Sequence, residues 1–164
     1  MASGDTLASF FPTAYEPPAT NYATFSVRFQ RPVLQFDTTT QETAIWSGLM
    51  PRHYAAGNLI VEVTWAAATA TTGTIGWDVT FERVEEGVLD VDADSFATAQ
   101  TITAATVPGT TGITDHTSVT CTAGATATDS IAAGELFRLR VRRDVATDTA
   151  AGDAELYAVE IREA

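Results

Sequence analysis

Residues 135–143 read ELFRLRVRR, and residues 154–162 read AELYAVEIR. In the first stretch Phe137, Leu139 and Val141 alternate with Arg138, Arg140 and Arg142. In the second, Tyr157, Val159 and Ile161 take one side, with Glu160 and Arg162 on the other. Side chains of a strand point alternately to opposite faces, so period two marks a strand with one buried and one wet face. The two stretches predict an antiparallel pair with those six apolar side chains toward a core. A register placing Leu139 opposite Val159 sets Arg138 across from Glu160.

The same alternation recurs upstream. Leu59, Val61, Val63 and Trp65 form one apolar row, and Ile75, Trp77, Val79 and Phe81 form another. Trp65 and Trp77 are therefore expected inside, each an aromatic that buries about 150–250 Å². Weaker strands are read over residues 22–29 (Phe25, Val27 and Phe29 on one face), 32–36, 43–49, 99–104 and 116–122. About ten short strands at near-regular spacing, with no long amphipathic helix, predict an all-β fold: a two-sheet antiparallel β-sandwich, a jelly roll. Residues 22–164 form its single domain. Residues 1–21 carry Phe10, Phe11 and Tyr15 among Pro12, Pro17 and Pro18. Proline cannot donate to a sheet ladder, so this segment is read as an extended N-terminal arm whose aromatics contact a neighbouring subunit or lattice.

Composition narrows the function classes. The chain has 164 residues, 21 acidic against nine basic, and a net charge of −12. Every cation is an arginine. A chain this acidic repels phosphate backbones, which argues against nucleic acid as a partner. No run of 18 apolar residues exists to span a membrane as a helix, and the start MASGDTLASFF lacks the basic leader and apolar core of a secretion signal. The single cysteine, Cys121, beside Val119, reads as a small buried hydrophobe.

No catalytic set emerges. His53 and His116 have no G-x-S-x-G elbow with them, and two histidines with one cysteine make no zinc spacing. Asp90, Asp92 and Asp94 open like a calcium loop, but Ser95 and Thr101 stand where that loop needs Gly and Glu, so a solvated acidic turn is favoured. Glu62 and Glu82 sit in the polar register of their strands, as any sandwich requires, and are weak candidates for a glycosidase pair. No phosphate-binding glycine loop is present, and no cofactor is expected. The Arg138/Arg140/Arg142 stripe is read first as cross-strand pairing with acidic neighbours, and second as an intersubunit contact.

The segments GDTL (4–7), EPPATNYATF (16–25), RPVLQFD (31–37), MPRHYAAGNLIVEVTWAA (50–67), and AAGELFRLRVRRD with GDAELYAVEIRE (132–163) resemble small structural proteins of tailed bacteriophages. That resemblance implies a non-enzymatic virion component on the capsid surface. Its first role would be decoration or cement, with a homotrimer and the major capsid protein as partners. Phe10, Phe11, Tyr15 and the three arginines would form the interface. The alternative is a receptor- or carbohydrate-binding module of a tail fibre, since jelly rolls also bind sugars on exposed aromatics.

Overall fold

The computed structural model describes residues 4–164. Their strands are β1 (Thr6–Phe10), β2 (Thr24–Arg28), β3 (Arg31–Phe36), β4 (Thr43–Leu49) and β5 (Leu59–Ala67), followed by β6 (Thr74–Val84), β7 (Gln100–Thr106), β8 (Thr114–Cys121), β9 (Leu136–Arg143) and β10 (Ala154–Glu163). One sheet runs β2-β3-β10-β5-β8, with β1 also against β10; the other runs β4-β9-β6-β7. All of these strand pairings are antiparallel. The chain is an all-β, jelly-roll sandwich, as the alternation predicts.

The inward rows meet as one core. Trp65 and Trp77 are both fully buried, and Trp46, on β4, joins them. Phe36 of the first sheet meets Trp77 of the second edge-on, at 5.0 Å between ring centres, a favoured aromatic geometry. The Trp65 indole N–H donates to Thr117 Oγ1 at 3.0 Å, so its burial leaves no orphan donor.

The closing strands do not pair with each other. β9 lies between β4 and β6, while β10 lies between β5 and the β1/β3 side, so the two face each other across the core. Leu139 stands opposite Trp46 and Phe81, Val159 opposite Phe10 and Val63, and Arg138 opposite Ser47 and Glu82 rather than Glu160. Alternation says which side of a strand is dry, and that is equally satisfied by strands on the two sides of one core.

Tyr157 is also corrected. The β10 register shifts between Leu156 and Ala158, so Leu156 and Val159 both point inward and Tyr157 is only half-buried. A bulge re-aims side chains in this way.

The arm reading fails for residues 6–10. β1 pairs with β10, Phe10 is buried at 8% exposure, and its ring lies 6.1 Å from both Trp46 and Phe137. The prolines that exclude a ladder come only after this strand: Pro12 opens a 3-10 turn, Pro12–Ala14, which the Tyr15 N–H closes on the Pro12 carbonyl. Gly48 explains the tight aromatic packing, because a Cβ there would sit 2.9 Å from the Phe137 ring and 3.0 Å from that of Phe10. Residues 1–3 lie outside the described residues.

Cys121 is fully buried opposite Leu59, and burial pushes its thiol pKa up to about 12. The thiolate is the reactive form, so the folded protein is expected to resist iodoacetamide at pH 8 and to label on unfolding in urea. Rapid labelling of the native chain, read by mass spectrometry, would contradict this packing.

Candidate functional site

The arginine stripe lies on the outer face of the second sheet, where two of its three charges are paired. Across the β6–β9 pair, Arg138, Arg140 and Arg142 stand opposite Glu82, Thr80 and Asp78. Arg138 Nη1 donates to Glu82 Oε2 and to Asp94 Oδ1, both at 2.8 Å, and Arg142 Nη2 lies 3.6 Å from Asp78 Oδ2. Arg140 forms no ion pair among the described residues; its guanidinium lies 4.3 Å from the centre of the Phe96 ring. Burial and the neighbouring Arg142 pull its pKa down.

The other residues singled out in the sequence are not brought together. Asp94 is drawn to Arg138, and Asp90 accepts from the Asp92 N–H at 3.0 Å. Among the described residues, no group of three or more His, Cys, Asp or Glu side chains is placed to hold a metal ion. Glu62 and Glu82 belong to different sheets and point outward from opposite faces of the sandwich. His116 contacts Thr64 Oγ1 at 3.1 Å on the outer face of the first sheet. Phe10 is in the core, the Tyr15 hydroxyl donates to the Ala23 carbonyl at 2.7 Å, and Phe11 is exposed.

A cleft of about 540 Å³ is better furnished for recognition. Three segments meet there: the β2–β3 hairpin with Arg28, Phe29 and Arg31, the loop entering β8 with Thr111, Gly112 and Thr114, and the β10 bulge with Tyr157. The hairpin closes on Phe29-Gln30, whose φ angles are +44° and +66°. Turns with two left-handed residues favour Asn-Gly, and a bulkier residue there costs about 1–2 kcal/mol. Phe29 is nonetheless 88% exposed. Neither burial nor backbone preference accounts for a phenylalanine at this position, and strain of this kind gathers at functional sites.

The polar half of the cleft is held by one carboxylate. Glu155, 3% exposed, accepts from Arg28 Nη1 at 2.7 Å and from the Tyr157 hydroxyl at 3.1 Å. Bonding to Glu155 raises the Arg28 pKa, while burial and Glu155 raise that of Tyr157. Gly112, at φ +77°, leaves room for the arginine, since a Cβ there would lie 2.9 Å from Arg28 Nη2. The result is a fixed guanidinium beside a fixed phenol, with a phenyl ring at the rim. A second cleft, lined by Arg83, Glu85, Val88, Leu89, Asp94 and Asp129 among others, has no aromatic wall, and its Arg83 is held by Glu135 at 2.6 Å.

Sequence periodicity missed this site. It placed Phe25, Val27 and Phe29 on one face of a single strand, but Phe25 and Val27 are about half exposed, because β2 is the sheet edge, and Phe29 lies beyond the strand in the turn. The available signal was Pro32, which follows Gln30-Arg31 and marks an edge hairpin.

No protein-family model matches the sequence, and no curated protein matches it closely. Solved structures do match its fold. The C-terminal CBM6 of LamC, a laminarinase from Zobellia galactanivorans, is similar over 95% of this chain and 98% of that one, at 13% identity and a TM-score of 0.51. The Clostridium thermocellum xylanase Xyn10B CBM22-1–GH10 structure, in complex with xylohexaose, is similar over 100% of this chain and 29% of that one, at 13% identity and a TM-score of 0.56. These likenesses establish the fold. They also overturn the resemblance to phage structural proteins, and with it the capsid-cement reading and the virion location, because the matching structures carry carbohydrate-binding modules. The segments that carried that resemblance are largely strands of the sandwich, whose alternation any such fold demands.

Proposed function

We propose that this chain is a non-catalytic carbohydrate-binding module that takes a saccharide in the Phe29–Tyr157 cleft. The observation that carries the reading is Phe29, held at positive φ at a hairpin tip with its ring in solvent. A sugar ring offers an apolar C–H face and a rim of hydroxyls. Phe29 and Tyr157 supply flat apolar surface for the first; Arg28, Arg31, Thr111 and Thr114 supply hydrogen-bonding groups for the second. Carbohydrate-binding modules on the same fold support the reading. Glycoside hydrolysis uses two carboxyl groups across the bond, whereas no carboxylate among the described residues lines this cleft, and Glu155 behind it is already engaged by Arg28 and Tyr157.

The test is the double variant Phe29→Asn/Gln30→Gly. It relieves the turn while removing the ring, so stability in urea is expected to rise by about 1–2 kcal/mol. Binding to the glycans the parent retains in affinity gels is expected to weaken by about tenfold or more. A variant that binds as the parent does would overturn the assignment of the cleft.

A further inference from the structure

Resting on that reading, we infer that the saccharide is acidic and that Arg31 seats its carboxylate. Of the nine arginines, six engage a carboxylate within the described residues: Arg28, Arg83, Arg138, Arg142, Arg143 and Arg162. Arg140 is occupied by Phe96, and Arg52, exposed and without an ion pair among the described residues, does not line this cleft. Arg31 has no ion-pair partner among the described residues, is exposed, and lines the cleft. It also stands directly opposite Arg28 in the hairpin ladder. Like charges in that position repel, and only Arg28 is compensated, by Glu155.

With 21 acidic residues on the chain, an uncompensated guanidinium beside a second one is a local positive site on a negative molecule. A neutral sugar can accept hydrogen bonds from Arg31 but does not neutralise its charge. A uronate does: its planar carboxylate matches the guanidinium fork, while Phe29 and Tyr157 take the ring face. The net charge of −12 also disfavours indiscriminate polyanion binding, so an acidic ligand must be recognised locally.

The experiment titrates the full chain and Arg31→Gln calorimetrically with galacturonate, glucuronate and mannuronate oligosaccharides and their carboxyl-reduced counterparts, and with dextran sulfate. At least one uronate oligomer is expected to bind the parent about tenfold or more tighter than its reduced form. Arg31→Gln should remove that preference without lowering the melting temperature, since it also relieves the repulsion with Arg28. Equal or better binding of the reduced forms, with Phe29 still required, would overturn the inference and leave the carbohydrate reading standing. Binding of dextran sulfate in preference to every uronate would overturn the carboxylate assignment. Failure of all glycans, acidic and neutral, would overturn both.

Discussion

Arg143→Met is expected to cost about 3–5 kcal/mol of stability, a large share of the ~5–15 kcal/mol that holds a typical domain together. Arg143 is wholly buried at the end of β9, and its Nε donates to the buried Asp148 carboxylate. Nη1 donates to the Phe36 carbonyl at 3.0 Å and the Gly152 carbonyl at 2.8 Å, and Nη2 to the Ala150 carbonyl at 3.3 Å. One side chain thus fastens the end of β3 and the connection from β9 to β10. Removing it strips the buried Asp148 carboxylate of its counter-charge and takes a donor from three carbonyls, although Asp148 keeps the Ala150 N–H and the Ala150 carbonyl keeps the Thr38 hydroxyl. Arg143→Met/Asp148→Met should be less destabilised than the single variant, since the orphaned charge goes too. Urea unfolding of both proteins decides it; a single-variant loss under about 1 kcal/mol, or a double variant worse than the single, would contradict the account.

Deleting residues 1–18 is expected to yield insoluble protein. The deletion removes β1 from the edge of β10 and takes Phe10 from between Trp46 and Phe137. It also removes the Phe11 carbonyl that accepts the Trp46 indole N–H at 3.0 Å. Loss of one buried phenylalanine side chain alone costs about 3–5 kcal/mol, and an uncovered strand edge is a template for aggregation. Fractionation and size-exclusion chromatography read the outcome. A soluble monomer with the parent's unfolding midpoint would mean that this segment is an accessory to the sandwich.

What the sequence conveyed and what it withheld follow from the same physics. Period two identified strands and their dry sides, so Trp65, Trp77, Phe137, Leu139, Val141, Val159 and Ile161 are all in the core. It carried no information on which strands share a sheet, so β9 and β10 were expected as partners although they stand on opposite sides of that core. A single bulge reversed Tyr157. The prolines at 12, 17 and 18 outweighed the short run at 6–10, although β1 ends before the first of them. Cross-strand pairing was legible for Arg138 and Arg142, because alternating charges on adjacent strands have a fixed geometry, but not for Arg140, which stands opposite Thr80. The cleft was not legible. It joins a turn, a loop and a bulge far apart in the chain, and these are the places where alternation stops.

The most direct measurement of the central claim is an NMR titration of the isotope-labelled full chain with a glycan it retains. Amide shifts are expected to concentrate at residues 28–31, 111–114 and 155–158, with the outer face of β6 and β9 unmoved. Shifts centred instead on the Arg138–Arg142 face, or on the cleft around Arg83 and Asp129, would contradict the assignment of the Phe29–Tyr157 cleft as the binding site.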